Sequence, residues 1–233
     1  MGMDFLREGM LEAVRIILSM DEELLNVAAV TVKSSFLAMC MASAVGLPVG
    51  IALGALRFPG RRALRLLFDS LLSVPTVVVG LVVYGFISNQ GPFGRFELLF
   101  TLWGMAIGQA VLGLPVLVSL VASAVESVDP LVVMTLRTLG FRGLRLLWAL
   151  VLEMRHALMM ALLAAYGRVV SEVGVSMMIG GNIRWHTRTL TTAIAFEASR
   201  GDFGMAVALG LVLLIISSLV SACVSLMRWR AKG

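Results

Sequence analysis

The stretch from residue 127 to residue 156 begins Ser127-Val-Asp-Pro-Leu-Val-Val-Met-Thr-Leu-Arg-Thr-Leu-Gly-Phe-Arg-Gly-Leu-Arg-Leu-Leu-Trp148 and lies between long apolar segments. Asp129 followed by Pro130 is typical of a helix N-cap with proline in the first helical position. Gly140 is suited to the left-handed residue that ends a helix, and a second helix is predicted from about residue 143. We therefore expect a helix–glycine–helix unit shaped for docking, which we call the docking element (residues 127–156).

The composition is that of an integral membrane protein. Hydrophobic residues make up 59% of the 233 residues, charged residues only 14%, and the mean hydropathy is +0.97, whereas a soluble domain is nearer half apolar and a quarter charged. Five apolar segments each reach the roughly 20 residues needed to cross a hydrocarbon core of about 30 Å. They are residues 27–56, 66–88, 98–125, 157–179 and 203–227. The sequence therefore predicts an all-α membrane protein with five transmembrane helices.

The charges between the apolar segments predict the orientation. Residues 57–65 contain four arginines and no acidic residue, and the docking element contains Arg137, Arg142 and Arg145. The arm before the first segment instead carries six carboxylates against two arginines. Because short loops rich in arginine and lysine stay on the cytoplasmic side, we expect the N-terminus outside the cell and the C-terminus in the cytoplasm.

Residues 1–22 are predicted to form a separate amphipathic helix. Apolar residues such as Phe5, Met10 and Val14 recur on one helical face, and charged residues lie opposite. That pattern is too polar to cross a bilayer and suits a helix lying on its surface. We therefore expect two units, an interfacial helix at 1–22 and a transmembrane domain at 23–233.

The docking element resembles the cytoplasmic loop of the permease subunits of ABC importers. The family pattern is Glu-Ala-Ala, three residues, Gly, nine residues, Ile, one residue and Leu-Pro. When the run Arg137-Thr-Leu-Gly140 is aligned on the glycine, Leu150 and Leu152 occupy the aliphatic positions. Two parts of the pattern differ, since Met-Thr-Leu stands at 134–136 in place of Glu-Ala-Ala and Glu153 stands in place of the proline.

The resemblance extends over residues 27 to 228. The run Leu72-Ser-Val-Pro-Thr-Val-Val-Val-Gly-Leu81 looks like the second core helix of these permeases, and Arg168-Val-Val-Ser-Glu-Val-Gly174 resembles the molybdate and tungstate branch. Within that branch, the five-span design and the run Met177-Met-Ile-Gly-Gly-Asn-Ile183 look most like the tungstate-type permease.

The resemblance implies a type I importer permease fold and a division of labour between subunits. Two copies of the chain would form a homodimeric pathway in the cell (inner) membrane of a bacterium or archaeon. An ATP-binding subunit would bind each docking element, and an extracytoplasmic binding protein would deliver the oxyanion. ATP hydrolysis is expected on the partner, because neither lysine of this chain lies in a Gly-rich phosphate loop. The residues expected to couple to the ATPase are Asp129, Pro130, Arg137, Thr138, Leu139, Gly140 and Arg142.

Charged residues in and after the fourth segment are candidates for the translocation pathway. Arg168 and Glu172 are four residues apart and share a helical face. They either border an anion pathway or form an ion pair that holds the helix packing, since charges within a bilayer usually pair. Arg184 and Arg188 either form an electropositive outer mouth or belong to a solvated loop.

Two methionines are a second kind of candidate for the translocation pathway, whereas no residues are expected to bind a metal. Met177 and Met178 either pack adaptably or close an outer gate. His156 and His186 are far apart in sequence, with no Cys or carboxylate cluster at ligand spacing, so no metal site is expected. We expect no cofactor and no nucleic-acid partner, because membrane topology explains the arginines. Membrane lipid and the protein subunits remain as partners.

The predicted function is ATP-driven, binding-protein-dependent import of an oxyanion by alternating access, with tungstate as the expected substrate. Import of molybdate, sulfate or another small solute through the same fold stays open. A secondary transporter driven by an ion gradient is the further alternative. It is disfavoured because the sequence has neither internal inverted repeats nor unpaired mid-membrane carboxylates.

Overall fold

The computed structural model describes Met10, residues 14–19 and residues 21–230, with side chains as far as Ala222. Residues 14–19 are helical, and the predicted surface helix at 1–22 otherwise lies largely outside the described residues. From residue 21 onward the described chain contains ten α-helices, one 3-10 turn at Gly94–Phe96 and no strand. The helices are α1 Glu22–Ala55, α2 Arg61–Leu71, α3 Thr76–Ile87, α4 Leu102–Glu126, α5 Pro130–Thr138, α6 Gly143–Glu153, α7 Arg155–Val170, α8 Gly174–Gly180, α9 Leu190–Arg200 and α10 Phe203–Arg230.

Helices α1 and α4 pack closely and form the centre of the fold. A Cβ added at Gly50 of α1 would lie 2.7 Å from Val121 Cβ of α4, and one added at Gly54 would lie 2.4 Å from Val125 Cβ. Small residues four positions apart allow two helix backbones in a membrane to approach in this way. Because both contacts advance by four residues in the same direction, α1 and α4 run parallel. The chain must therefore return across the fold between them.

The returning segment is bent, unlike a single straight transmembrane helix. Helix α2 ends at Leu71, α3 begins at Thr76, and the two axes differ by 104°. Pro75 has no backbone N–H and disfavours helical backbone at the residue before it, which explains the break. The 12 residues of α3 span about 18 Å at 1.5 Å per residue. Helix α3 alone is therefore shorter than a hydrocarbon core.

The fourth predicted segment is also divided. Helix α7 ends at Val170, and α8 begins at Gly174. The carboxylate of Glu172 accepts a hydrogen bond from the backbone N–H of Val175 at 3.1 Å, and this bond stabilises the start of α8. At the N-terminal end of α7, helix α6 meets α7 at an angle of 68° with only Met154 between them.

A capped short helix, α9, leads into the last long helix. The hydroxyl of Thr189 accepts from the N–H of Thr192 at 3.3 Å, and the hydroxyl of Thr192 accepts from the N–H of Thr189 at 3.0 Å. This reciprocal pair is a capping box. Gly201 ends α9 with φ +82°, and Asp202 caps α10 by accepting from the N–H of Met205 at 3.0 Å.

Three helices of the described chain are long and apolar enough to cross a membrane alone, and these are Glu22–Ala55, Leu102–Glu126 and Phe203–Ala222. The number rises to five if each bent pair, α2 with α3 and α6 with α7, makes one crossing. A buried apolar core lies between α1, α4 and α7. Its residues include Ala38, Ala42, Ala106, Leu117, Val121, Leu158, Ala165 and Val169.

Candidate functional site

The docking element consists of two short helices joined by a glycine turn, in agreement with the local structure predicted for it. The carboxylate of Asp129 accepts from the N–H of Leu131 at 2.8 Å, and Pro130 is the first helical residue of α5. Gly140 has φ +89°, in the left-handed region that favours glycine. The N–H of Phe141 donates back to the carbonyl of Leu136 at 3.0 Å, which closes the helix end.

The docking element is exposed along both of its helices. All seven residues predicted to couple to an ATPase are exposed. Large apolar side chains are exposed with them, since Leu131, Met134 and Leu139 have 61% to 69% of their surface accessible. Several large apolar side chains exposed on one short element are typical of an interaction site.

Two arginines of the basic loop anchor α2 beside the docking element. Arg61 donates to the carbonyl of Leu53 in α1 at 2.5 Å and forms an ion pair with Glu126 at the end of α4. Arg65 donates to an α4 carbonyl at 2.8 Å and lies 3.4 Å from Asp69. The last carbonyls of a helix have no partner within it, so Arg61 completes the end of α1. Helix α2 therefore ties the end of α1 to the end of α4, from which the docking element extends.

At the opposite end of α1, Glu23 brings together the two arginines predicted at an outer mouth. Arg188 Nη1 lies 2.9 Å from Glu23 Oε1, and Arg184 donates to the other oxygen of the same carboxylate. Arg188 also lies 3.8 Å from Glu197 Oε1. The hydrogen bond and the charge of Glu23 raise the pKa of Arg184. Glu197 is shared with Arg200, whose Nη1 lies 3.8 Å from its Oε2. Two carboxylates thus face three arginines, and the positive field that unpaired arginines would produce is partly offset.

Arg188 is the more deeply placed of these two arginines. Its side chain is 12% exposed, against 59% for Arg184. Its guanidinium lies 5.1 Å from the ring centroid of Phe196, within the range of a cation–π contact. Sequence reasoning did not assign Glu23, Phe196 or Glu197 to this site.

Arg168 and Glu172 form the ion pair that their spacing predicts. Arg168 Nη1 lies 3.3 Å from Glu172 Oε2, and the side chain of Glu172 is 2% exposed against 42% for Arg168. The backbone carbonyl of Glu172 accepts from the hydroxyl of Thr191 at 2.9 Å. Because its carboxylate also stabilises the start of α8, Glu172 joins α7, α8 and α9. Arg168 keeps nearly half of its side chain accessible, so it stays the candidate of this pair for contact with an anion.

Helix α8 contributes both methionines and a buried polar contact. Met177 and Met178 are half-buried. The sulfur of Met178 lies 3.1 Å from the Cβ position of Gly80 in α3, so Met178 packs between the two helices. Gln109 of α4 donates to the hydroxyl of Ser176 at 2.9 Å in the buried interior. Sequence reasoning missed Gln109, although a lone amide in an apolar segment indicates a hydrogen bond between transmembrane helices.

Comparison with known proteins gives relatives along almost the whole chain. No protein-family model matches it. The chain is 37% identical to the tungstate uptake system permease protein TupB of Campylobacter jejuni, over 92% of this chain and 90% of that protein. It is also 37% identical to TupB of Peptoclostridium acidaminophilum, over 95% of this chain and 97% of that protein. Sulfate transport permeases are similar at 26% to 30% identity.

A solved structure shares the fold. The crystal structure of a bacterial ABC transporter involved in the import of the acidic polysaccharide alginate matches 93% of this chain and 78% of its own chain. The TM-score is 0.62 and the sequence identity is 17%. At that identity the likeness concerns the arrangement of the helices.

Proposed function

The chain belongs to the tungstate-uptake family of ABC transporter permeases, and from that premise we propose that it forms the membrane pathway of a tungstate importer. The observation that carries the proposal is the 37% identity to two tungstate uptake permeases over more than nine-tenths of the chain. The lower identity to sulfate permeases favours tungstate over sulfate. As a multi-pass protein of the inner membrane, the chain supplies the pathway, and its relatives are transport subunits, not enzymes.

The proposed topology has five crossings, with the N-terminus outside and the C-terminus in the cytoplasm. The parallel packing of α1 and α4 supports it, because the bent pair α2 and α3 must then cross back between them. The ion pair between Arg61 and Glu126 supports the same assignment, since it joins the basic loop to the start of the docking element. Both regions are rich in arginine and belong on the cytoplasmic side. The transmembrane domain then comprises residues 23–233, with the interfacial helix at 1–22.

Each end of the molecule has its own proposed partner. The docking element binds an ATP-binding subunit through the exposed residues around Gly140. The end that carries Glu23 and Arg188 faces the extracytoplasmic binding protein. A second copy of the chain completes the pathway, which the accessible part of Arg168 borders.

The mechanism follows from what the docking element is attached to. ATP-driven closure of the nucleotide-binding subunits moves the two docking elements together. Helix α6 passes the movement to α7 across the 68° bend at Met154, and Glu126 passes it to α2 through Arg61. The packed α1 and α4 then tilt as one body, so the pathway opens alternately to the two sides of the membrane.

Uptake in cells tests the proposed substrate. In cells that lack this gene, we expect uptake of labelled tungstate to return when the chain is restored, and excess sulfate to leave that uptake intact. The proposal fails if restored uptake is absent, or if sulfate and tungstate compete equally.

Two glycines in the same backbone conformation test the proposed docking role. Gly140 and Gly201 have φ +89° and +82°, and neither has a neighbour within 4 Å of an added Cβ. Leucine at either position imposes similar backbone strain. We expect Gly140→Leu to weaken co-purification with the ATP-binding subunit and Gly201→Leu to preserve it. Equal co-purification of the two variants would rule out docking through this turn.

A further inference from the structure

A large groove separates the end of α1 from the docking element. Its volume is about 1210 Å³. One wall is formed by α1 through Leu47, Ile51 and Ala52, and the other is formed by α6 through Leu144, Trp148 and Leu152. Leu144 and Trp148 are 82% and 66% exposed. The groove is therefore an open apolar space beside the end of α1.

The apolar walls carry a positively charged rim. Arg145 and Arg155 line the groove, and Glu153 is the one carboxylate among the described residues that do so. Neither arginine has an ion-pair partner in the part of the chain that the structure describes. Nε2 of His156, which also lines the groove, is buried and has no hydrogen-bond partner among the described residues. The rim therefore offers two cations to an anionic oxygen.

We propose that an anionic phospholipid of the cytoplasmic leaflet binds in this groove. Its acyl chains lie against the leucines, and its phosphate meets Arg145 and Arg155. The inference rests on the orientation given under the proposed function, which places the end of α1 in the leaflet where anionic lipids are concentrated. Basic pockets between transmembrane helices on that side are typical sites for such headgroups.

The position of the groove gives the bound lipid a structural consequence. One wall belongs to the first transmembrane helix, and the other belongs to the helix that follows the Gly140 turn. A lipid between them fills an apolar space and fixes the distance between α1 and α6. The docking element is then held against the transmembrane helices by lipid as well as by the short Met154 connection.

Fluorescence quenching by brominated lipids tests the proposal. The full chain is placed in lipid nanodiscs that contain either brominated phosphatidylglycerol or brominated phosphatidylcholine. Bromine on an acyl chain quenches a tryptophan that it touches, and Trp148 lies in the groove. We expect half-maximal quenching at a lower fraction of phosphatidylglycerol, by on the order of fivefold for each contributing arginine. The preference should disappear in Trp148→Phe, which identifies the tryptophan responsible.

Charge variants separate a specific headgroup site from general attraction. The double variant Arg145→Gln with Arg155→Gln should lose the preference, and the matching double lysine variant should keep it. Arg62→Gln is the control, because Arg62 is an exposed arginine of the basic loop outside the groove. Equal quenching by the two lipids, or a preference that survives the double glutamine variant, overturns the proposal. Absence of quenching, together with cross-linking of the Trp148→Cys variant to a second copy or to the ATP-binding subunit, overturns it in favour of a protein occupant.

These outcomes stay distinct from those of the transport proposal. Lipid quenching needs neither ATP nor tungstate, so a lost lipid preference with intact tungstate uptake removes only the lipid site. A retained lipid preference with no tungstate uptake removes only the transport assignment.

Discussion

Replacing Gly50 by alanine tests the close packing of α1 on α4. The added Cβ would lie 2.7 Å from Val121 Cβ and 3.0 Å from the carbonyl oxygen of Val118. Carbon atoms in favourable contact lie about 3.5 to 4.0 Å apart, so the two helices must separate by roughly 1 Å. Neither neighbour is the flexible end of a side chain. The backbones of α1 and α4 must therefore move.

The expected cost follows from two opposing effects. Overpacking a well-packed interior costs about 1–3 kcal/mol. Alanine in place of glycine within a helix returns about 0.5–1 kcal/mol through its higher helix propensity. We therefore expect Gly50→Ala to lower the free energy of unfolding by about 0–2.5 kcal/mol, the difference between these two ranges.

Other glycines supply a graded series of controls. Gly167 of α7 has open space around an added Cβ, so Gly167→Ala should be stabilising by about 0.5–1 kcal/mol. An alanine at Gly46 would meet a terminal methyl carbon of Leu117 at 3.0 Å, which can move, so its effect should fall between the two. Unfolding in detergent by titration with a denaturing surfactant, followed by tryptophan fluorescence, measures the series. The packing argument is refuted if Gly50→Ala is as stable as Gly167→Ala.

Three further predictions concern single polar contacts. Glu23→Gln removes the counter-charge of two arginines and should lower the free energy of unfolding by about 1–2 kcal/mol, less than the loss of a fully buried charged hydrogen bond. The control Glu22→Gln, at an exposed position, should change it by less than about 0.5 kcal/mol. Equal effects of the two variants would contradict the network. Arg61→Gln should lower the free energy of unfolding by about 1–2 kcal/mol, because it removes the hydrogen bond to the α1 carbonyl and the ion pair to α4. An equal loss for Arg62→Gln would argue against this anchor. Asp129→Ala removes the N-cap of α5 at a cost of about 1 kcal/mol. Hydrogen exchange should show this as about fivefold lower protection of the first α5 amides. Unchanged protection would exclude the cap.

Local chemistry made much of the docking element predictable. Asp129, Pro130 and Gly140 act through contacts within a few residues, so the N-cap, the first helical position and the left-handed turn could be read from neighbours in sequence. The same holds for the Arg168–Glu172 pair, whose partners are one helical turn apart. The long apolar segments also predicted a helical membrane protein, because length and hydropathy suffice for that inference.

The periodicity of apolar residues does not predict interactions between residues that are far apart in sequence. The sequence indicates only that Glu23 belongs to an acidic arm before the first transmembrane segment, yet Glu23 binds Arg188, which is 165 positions away in sequence. Pairing of this kind depends on which helix ends the fold brings together. The break before α8 was missed for a related reason, since Glu172 was considered as a partner for Arg168 and not as a cap for Val175.

Transport by the reconstituted complex tests the central claim most directly. The chain is placed in liposomes with its ATP-binding subunit, and the binding protein is added with labelled tungstate on the outer side. We predict uptake that requires ATP, the ATP-binding subunit and the binding protein, and that prefers tungstate to molybdate and sulfate. Tungstate accumulation by the chain alone under an ion gradient, without ATP or the partner subunit, would contradict the account.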